Sequence, residues 1–287
     1  MTGVKFIECP RDAMQGWPHP ISTAAKTAYL NALLQVGFDT LDFGSFVSAK
    51  AIPQMADTAE VLRGLQPNGT TKLLAIVANV RGAEEALAFD AIDFLGFPFS
   101  LSETFQIRNT NKTMEQALEQ VQTIQELCLK HNRQLVVYLS MGFGNPYSDP
   151  YSADIVLEWA AAFADMGITI LSLADTVGVA EPGNIAHLFS KLIPAYPAVE
   201  FGAHFHSTPF AWEEKIAAAY NSGCRRFDSA LKGIGGCPMA QDELVGNIAT
   251  EKLAEWCAGL DIPMPFSMDA INAAAKKAEQ LFRQDLI

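Results

Sequence analysis

Hydrophobic positions along the chain alternate between short dense runs and longer stretches with one apolar face. The dense runs are rich in β-branched and aromatic residues, which is typical of buried strands. There are eight of them: Val4–Cys9, Thr40–Phe46, Lys72–Ala78, Ala91–Phe99, Gln134–Phe143, Ile168–Ala174, Val199–His206 and Arg225–Leu231. The stretches between these runs have helical spacing, so the chain is predicted to alternate strand and helix.

Several of the predicted helices have clear start and stop signals. Helical patterns cover Ser22–Val36, Thr113–His131, Ala153–Met166 and Pro209–Asn221. Ser22 and Thr113 are residues that cap a helix at its amino end. Glycine, which ends many helices, occurs just before a strand at Gly37, Gly167 and Gly223.

This alternation belongs to the α/β class and predicts a (β/α)8 TIM barrel. The structural alternative is a doubly wound open sheet, which would carry a glycine-rich phosphate loop after an early strand. The only glycine-dense segment, 233–236, follows the last predicted strand, which favours the barrel. Residues 1–236 would form the barrel, and the patterns Glu243–Ala258 and Met268–Phe282 predict a helical C-terminal extension.

Composition narrows the class of protein further. The 287 residues are 49% hydrophobic and 18% charged, a globular balance that excludes a disordered chain or a coiled coil. The net charge of -12, without a cluster of Lys and Arg, excludes nucleic acid and anionic membranes as expected partners. Five widely spaced cysteines without a CxxC pair argue against a disulfide framework or a thiolate zinc site. With no signal peptide recognised, we expect a cytoplasmic protein.

Polar side chains gather at the carboxyl ends of the predicted strands, where barrels of parallel strands carry their active sites. Two histidines, His204 and His206, end strand 7 and point to the same side of it, so both imidazoles can converge on one cation. Two solvated polar residues at a strand end would give the same pattern. Asp12 and Asn247 can add oxygen ligands, and such a mixed set suits Mg2+, Mn2+ or Zn2+. Because the set has no thiolate, Mg2+ or Mn2+ is favoured.

Two further segments each have a functional and a structural interpretation. Arg11 and Asp12 either form an ordinary surface ion pair or place an arginine where it can bind a carboxylate or an enolate oxygen. Cys237 is either an inert core residue, as most cysteines are, or an exposed thiol that delivers a proton. Its glycine- and proline-flanked position favours an active-site loop at the start of residues 237–287.

Taken in order, several segments resemble 3-hydroxy-3-methylglutaryl-CoA lyase and the wider group of metal-dependent carbon–carbon lyases on a TIM barrel. The likeness runs from the first strand into the C-terminal extension. The loop Gly235-Gly236-Cys237-Pro238, followed by the Gly-Asn-x-Ala-Thr-Glu segment, is specific for the lyase branch. The matching segments are 9–15, 45–50, 53–57, 173–179, 204–206, 233–238 and 246–251.

The resemblance implies a single catalytic domain that breaks a carbon–carbon bond with the help of a divalent metal. The implied metal ligands are Asp12, His204, His206 and Asn247. A base removes the proton of the substrate's 3-hydroxyl, whose pKa the metal lowers, and bond cleavage leaves a ketone and a thioester enolate.

The resemblance also assigns roles to side chains around the metal. Arg11 would stabilise the enolate oxygen, and Asp175 would lie near the site. Cys237 would transfer a proton, and His204 would do so beside its metal role. Asp42 occupies the place of an acid that contacts the arginine.

The chain departs from the family pattern at three places. Asp42 stands where the family usually has Glu, which is one methylene longer. Ser207 follows the second histidine where the family has Asp, so a carboxylate that could orient a histidine is missing. Trp17 lies in the segment where the family has a lysine that helps to bind CoA.

Three functions compete at this point. The leading hypothesis is a lyase that cleaves 3-hydroxy-3-methylglutaryl-CoA, or a close 3-hydroxyacyl-CoA, to acetoacetate and acetyl-CoA, as in leucine degradation and ketone-body formation. The second is a related aldolase for a smaller hydroxy-keto acid without CoA, and the third is a non-catalytic metal-binding barrel. We expect a homodimer. The candidate cations for CoA phosphates are Arg63, Lys72, Arg81, Arg108 and Lys112.

Overall fold

Eight parallel strands form a closed ring in the computed structural model, which describes residues 3–236 and 245–283. They are β1 Lys5–Glu8, β2 Thr40–Phe46, β3 Lys72–Val77, β4 Phe94–Ser100, β5 Gln134–Ser140, β6 Ile170–Asp175, β7 Glu200–Ser207 and β8 Arg226–Ser229. Each strand pairs with the next one along the chain, and β8 pairs with β1. The predicted (β/α)8 TIM barrel is confirmed.

Helices connect the strands and cover the outside of the barrel. In the described parts of the chain they are α1 Pro10–Gln15, α2 Thr23–Leu34, α3 Thr58–Arg63, α4 Val80–Leu87, α5 Glu103–Thr110, α6 Met114–Lys130, α7 Ala153–Asp165, α8 Pro182–Ala195, α9 Trp212–Asn221, α10 Thr250–Gly259 and α11 Met268–Phe282. The predicted caps are confirmed, because Ser22 accepts the Ala25 N–H at 3.3 Å and Thr113 forms a capping box with Gln116.

The prediction of one helix over Glu243–Ala258 is wrong at its amino end. A short strand, β9 Gly246–Asn247, runs antiparallel to β7 and places Asn247 opposite His206. The helix begins only at Thr250. Gly246 and Asn247 are poor helix formers, and the exposed edge at the end of β7 offers their backbone a strand partner.

The C-terminal extension packs against the amino-terminal part of the chain. Phe282 of α11 contacts Trp17 and Tyr29 edge-on, with ring centroids 5.0 Å and 6.1 Å away. Trp17 therefore anchors the extension. The boundary that we predict between residues 236 and 237 lies at the edge of the described residues and stays a prediction.

The interior of the barrel has two unlike halves. One is an apolar cluster on the inner faces of β3, β5 and β6, with Phe94 of β4 packed against it. Its members are Leu74, Ile76, Val136, Tyr138 and Ile170. The inner faces of β2, β7 and β8 carry the charged residues Asp42, His204, Arg226 and Asp228. The charged half leads toward the carboxyl ends of the strands, where the candidate site lies.

Two sequence-based exclusions concern the chain as a whole. The four cysteines within the two described ranges, Cys9, Cys128, Cys224 and Cys257, are buried and form no disulfide. Among the helices described above, none combines the length and the apolarity needed to cross a bilayer.

Candidate active site

A cavity of about 610 Å³ opens at the carboxyl ends of the strands. The predicted residues Arg11, Asp12, His204 and His206 all line it. Its opposite wall is largely apolar and includes Ile76, Pro98, Phe105 and Tyr138. The topology therefore brings together side chains that are almost 200 residues apart in the sequence.

Helix α1 delivers Arg11 and Asp12 to the cavity. Pro10 is its first residue, directly after β1, and Asp12 lies in the first turn, where an acidic side chain is favourable. The two residues are only 8% and 5% exposed. The interpretation as an ordinary surface ion pair is therefore wrong, since both charges lie inside the site.

Asp42 holds the guanidinium of Arg11 in a bidentate pair. Nη2 of Arg11 lies 2.6 Å and Nε 2.9 Å from Oδ2 of Asp42, and Nη1 donates to Asp12 at 3.2 Å. These bonds use three of the five N–H groups of Arg11, which leaves two for a ligand. The shorter side chain of Asp42 thus reaches the arginine.

Burial and charge act against each other in this pair. Burial raises the pKa of Asp42 to about 6, although Arg11 opposes the shift. Burial also works against the charge of Arg11, but Asp42 and Asp12 raise the pKa of Arg11 above its ordinary value. Near neutral pH the pair is therefore ionised.

A β-bulge in β2 turns a second polar side chain toward the cavity. Asp42 pairs with Leu74 and Gly44 pairs with Ala75, so Phe43 has no partner on β3. Because of this extra residue, both Asp42 and Ser45 face inward, although residues i and i+3 of a regular strand face opposite sides. Ser45 lines the cavity, and its buried Oγ has no hydrogen-bond partner in the described chain. Sequence reasoning gave Ser45 no role, because the bulge is invisible in the hydrophobic pattern.

Each of the two histidines directs one ring nitrogen into the cavity. Nδ1 of His206 lies 3.0 Å from the carbonyl oxygen of Thr176, which can only accept, so Nδ1 carries the proton. Nδ1 of His204 lies 3.0 Å from Oδ2 of Asp228, which likewise accepts a hydrogen bond from Nδ1–H. In both neutral rings Nε2 is therefore left with a lone pair.

These residues fit a divalent metal. Nε2 of His206 is buried without a hydrogen-bond partner among the described residues, as a ligand atom awaiting a cation would be. The ligand atoms of Asp12, His204 and His206 lie within 4.8 Å of one another. A carboxylate with two imidazoles suits Mg2+, Mn2+ or Zn2+, and each histidine has the outer partner that metal-binding histidines usually have.

Asn247 joins the same cluster from β9. Its Nδ2 donates to Oδ2 of Asp12 at 2.7 Å, while Gln15 donates to Oδ1 of Asp12 at 2.9 Å. The amide oxygen of Asn247 is not used in these bonds. Gly235 (φ +102°) packs so closely that a Cβ there would lie 2.7 Å from Nδ2 of Asn247 and 2.9 Å from the Asp12 backbone. This glycine is required for close approach, and the segment is more than a flexible connection.

The pKa shifts around the cluster follow from these contacts. Burial opposes the ionisation of Asp12, but Arg11 and the two histidines, with help from Asn247, lower its pKa to about 2. Burial would lower the pKa of His204, yet the hydrogen bond and charge of Asp228 raise it above the ordinary value. For His206, burial and the neighbouring His204 lower the pKa. Asp12 and His206 therefore stand in the forms that bind a metal.

Asp228 places a carboxylate on Nδ1 of His204, although the residue after His206 is Ser207 and not the Asp of the family pattern. It lies on β8 in register with His204 of β7, far from the expected position in the sequence. The expectation of a missing orienting carboxylate is therefore wrong. The cross-strand position of Asp228 on a predicted inner face was the only signal that could have revealed it.

Asp175 lies behind the cavity. It is 1% exposed, accepts the N–H groups of Val179 and Ala180, and pairs with Lys215 at 2.7 Å. Lys215 also donates to the carbonyl oxygen of His206 at 3.0 Å. Asp175 thus shapes the turn after β6 and holds Lys215, which in turn binds the backbone of His206, a candidate metal ligand.

Of the five candidate cations for CoA phosphates, only Arg108 and Lys112 line the cavity. Arg108 lies over the ring of Tyr147, with 4.7 Å from Cζ to the ring centroid. Lys72 lies at the start of β3, at the opposite end of the barrel, where it pairs with Asp93. Arg81 pairs with Glu85 on its own helix, and Arg63 lies near Phe89. Trp17, which packs on Phe282, is not part of the cavity wall.

Cys237 lies outside the described residues, so its predicted role in proton transfer stays a prediction. The described residues end at Gly236 before this segment and resume at Val245 after it. Both flanks of the loop are described, and Gly235 and Asn247 on these flanks contact Asp12 or its backbone.

A further buried acid, Glu8, ties these flanks to β1 from the outside of the barrel. Its Oε1 accepts the N–H of Leu231 at 2.8 Å, and its Oε2 lies 2.5 Å from the hydroxyl of Thr250. Thr250 also lies 2.9 Å from the hydroxyl of Ser229. Burial raises the pKa of Glu8 to about 8, against the lowering effect of Thr250 and Leu231. Sequence reasoning placed Glu8 at a strand end but gave it no role.

Comparison with known proteins agrees with this geometry. The profile of the HMGL-like family matches residues 4–277. The hydroxymethylglutaryl-CoA lyase of Bacillus subtilis is 32% identical over 271 residues, covering 94% of this chain and 90% of its own. The mitochondrial hydroxymethylglutaryl-CoA lyase of Homo sapiens is 33% identical over 260 residues, covering 90% and 79%.

Solved structures show the same likeness. The HMG-CoA lyase of Acinetobacter baumannii, in complex with coenzyme A and 3-methylmalate, superposes with a TM-score of 0.91 at 31% identity, covering 97% of this chain and 91% of that one. The HMG-CoA lyase of Bacillus subtilis gives a TM-score of 0.92 at 31% identity, with 98% and 95% covered. The chain therefore belongs to the HMGL-like family and is an enzyme of the hydroxymethylglutaryl-CoA lyase type.

Proposed function

We propose that the protein is a divalent-metal-dependent lyase that cleaves 3-hydroxy-3-methylglutaryl-CoA, or a close 3-hydroxyacyl-CoA, to acetoacetate and acetyl-CoA. The observation that carries the proposal is the convergence of Asp12, His204 and His206, whose ligand atoms lie within 4.8 Å of one another beside Arg11. These products would place the enzyme in leucine degradation and ketone-body formation.

Asp12, His204, His206 and Asn247 are the residues that would hold the metal, for which Mg2+ or Mn2+ is favoured and Zn2+ is the alternative. When bound, such an ion lowers the pKa of the substrate's hydroxyl group and so eases loss of its proton. His204 has two proposed roles, as a metal ligand and as a proton-transfer group. The two roles exclude each other at any one moment, because Nε2 cannot bind a metal and carry a proton at the same time. The carboxylate of Asp228 on Nδ1 supports the protonated ring in its proton-transfer role.

Arg11 is placed to stabilise the charge that develops on the thioester. Its position is fixed by Asp42 and Asp12, and two of its N–H groups stay free for the enolate oxygen. Donors that are oriented before the reaction do not have to reorganise during it, which is why they stabilise a transition state well. Protonation of the enolate carbon, which we assign to Cys237, completes acetyl-CoA.

Two cations on the cavity wall support a CoA ester over a smaller hydroxy-keto acid. Arg108 and Lys112 give this acidic protein local positive charge for the phosphates of CoA. The stacking of Arg108 on Tyr147 limits the freedom of its side chain, so less entropy is lost when a phosphate binds. The solved structure of the HMG-CoA lyase of Acinetobacter baumannii, which this chain resembles, is in complex with coenzyme A.

The direct test is to incubate the protein with 3-hydroxy-3-methylglutaryl-CoA and Mg2+ or Mn2+, with EDTA as a control, and to measure acetoacetate and acetyl-CoA. We expect product with metal and none with EDTA. Cleavage of a small hydroxy-keto acid with no activity on the CoA ester would favour the aldolase instead.

The substrate assignment has its own test. Arg108→Gln and Lys112→Gln should each raise KM for the CoA ester with kcat little changed. Arg81→Gln is the matched control, because Arg81 is exposed and pairs only with Glu85 on its own helix. If KM for the CoA ester stayed at the wild-type value in Arg108→Gln and Lys112→Gln, as it should in the Arg81→Gln control, recognition of CoA at this wall would be contradicted.

A further inference from the structure

Arg226 lies inside the barrel, below the candidate metal ligands. Its side chain is the largest fully buried one among the described residues, with 1% exposed. It begins β8 in register with Gly202 of β7, and Asp228, two residues on, points to the same side of the strand. The two side chains therefore leave β8 on its inner face, Arg226 one layer below the carboxylate that contacts His204.

The contacts of Arg226 leave most of its guanidinium without a partner. Nη1 lies 3.6 Å from Oε2 of Glu200 and 3.9 Å from Oδ1 of Asp39, too far for hydrogen bonds. Nε and Nη2 are buried and have no partner within residues 3–236 and 245–283. The same holds for Oγ of Ser172 on β6 and for Oδ1 of Asp228. Buried polar atoms are almost always hydrogen-bonded in folded proteins, so each of these four atoms calls for a partner.

Gly202 lets the side chains of Arg226 and Ser172 approach each other. A Cβ on Gly202 would lie 3.1 Å from Cδ of Arg226 and 3.3 Å from Oγ of Ser172. Because glycine has no side chain, Arg226 and Ser172 can face one another across this strand, one layer below Asp228. A buried water commonly makes about three hydrogen bonds to polar groups of this kind. It can accept from Arg226 and donate to Asp228, whereas an anion would be repelled by the carboxylate.

We propose that Arg226 is a positioning residue of the metal site, which binds the free oxygen of Asp228 through water held with Ser172 beside Gly202. Asp228 is then held at both oxygens, since Oδ2 already receives Nδ1–H of His204. Outer partners of metal-binding histidines set the orientation of the ring and the affinity for the metal. Arg226 acts one step further out, through the carboxylate.

The metal part of this inference rests on the proposed function, but the water link does not. A high-resolution crystal structure of the metal-free protein should show ordered water within hydrogen-bond distance of Arg226, Ser172 and Oδ1 of Asp228. A structure in which no water joins Arg226 to Asp228 would overturn the inference.

A double-mutant cycle on Mn2+ affinity tests the positioning role. Asp228→Asn should weaken Mn2+ binding by about 10-fold to 100-fold, the range for outer partners, and Arg226→Met by about threefold to tenfold. If Arg226 acts through Asp228, Arg226→Met should add less than about twofold in the Asp228→Asn background. A merely structural role would give effects that multiply independently, and that result would refute the proposal.

Arg225→Met is the matched control for this cycle. Arg225 is the neighbouring residue, but its guanidinium lies outside the barrel over the ring of Tyr220 and donates to the carbonyl oxygens of Tyr220 and Cys224 at 2.7 Å. Its replacement should leave Mn2+ affinity unchanged. If Arg226→Met does not fold, Ser172→Ala enters the same cycle in its place.

The two proposals fail in different ways. Wild-type protein that binds Mn2+ but does not cleave the CoA ester would refute the proposed function and leave the role of Arg226 standing. Active wild-type protein whose Mn2+ affinity is unchanged by Arg226→Met would refute only the role of Arg226. If the wild type binds no Mn2+, the crystal structure alone decides the water link.

Discussion

Two groups of buried acids on opposite sides of β1 differ in what surrounds them. On the cavity side, Asp12 lies beside Arg11 and the histidines, and its pKa is lowered to about 2. On the outer side, Glu8 contacts only Thr250 and a backbone N–H, and burial raises its pKa to about 8. Burial alone therefore does not decide whether a carboxyl group is charged, because neighbouring cations decide it.

The comparison also separates two tasks in the same part of the chain. The charged group is proposed to hold a metal, and it fixes an arginine at the wall of the cavity. The Glu8 network instead ties β1, β8 and the start of α10 together, next to the strand that carries Asn247. One group is proposed for chemistry and the other for positioning.

The largest expected effect comes from removing a metal ligand. His206→Ala should abolish metal-dependent cleavage and weaken Mn2+ binding more than about 100-fold, beyond the range for outer partners. His187→Ala, an exposed histidine on α8, is the control and should bind Mn2+ normally. Titration of Mn2+ measures both, and normal binding by the His206 variant would refute the ligand assignment.

Loss of the arginine should be nearly as damaging while sparing the metal ligands. Arg11→Met is expected to lower kcat about 100-fold to 1000-fold, the range for removal of a single oriented donor at an oxyanion. Arg11→Lys should restore little, because lysine cannot make the bidentate pair with Asp42. Steady-state kinetics check this, and a kcat within threefold of wild type would contradict the role of Arg11.

Glu8 should make stability depend on pH in the opposite sense to a paired carboxylate. Its folded pKa of about 8 exceeds the ordinary value of 4.5, so its contribution is complete below pH 4.5 and is lost as the pH rises to about 8. The loss between pH 5 and pH 8 should be on the order of 3 kcal/mol of unfolding free energy.

Glu8→Gln tests this expectation, because glutamine keeps the shape and cannot ionise. Denaturant unfolding at a series of pH values should show a flatter profile for this variant than for wild type. Glu255→Gln, an exposed acid on α10, is the control and should keep the wild-type profile. Identical slopes for Glu8→Gln and wild type would mean that Glu8 is ionised in the folded state at neutral pH.

The smallest expected effect concerns the length of the acid at position 42. Asp42→Glu restores the residue that the family usually has at this position. In the structure both oxygens of Asp42 already bind Arg11, and the side chain is 1% exposed. An added methylene should strain this packing by about 1–3 kcal/mol and lower kcat/KM accordingly. Increased activity on the CoA ester would reverse this conclusion.

The barrel could be predicted almost completely from the sequence. Each strand is a short apolar run and most helices have a periodic apolar face. Both patterns are local properties that need no knowledge of distant residues. The error at 245–249 has the same explanation in reverse, because Gly246 and Asn247 become a strand only through pairing with β7. The homodimer and the cytoplasmic location stay predictions.

The candidate site was predictable only in part. His204 and His206 share a strand, and Arg11 and Asp12 follow a strand, so their chemistry is visible in a few neighbouring residues. The orienting partners are different, because Asp228 meets His204 through the register of β8 on β7, and Thr176 meets His206 through the packing of a loop. Ser45 reaches the cavity only because of the bulge at Phe43.

The sequence by itself thus determined the fold, the family likeness and the types of side chain at the strand ends. Only the tertiary structure decided which of these groups are charged and which residues hold them in place. The physical reason is that pKa values, unpartnered polar atoms and the space beside Gly202 depend on burial and on neighbours from other strands. Neither Arg226 below the candidate metal ligands nor Glu8 behind them could be recognised before the strands were closed into a barrel.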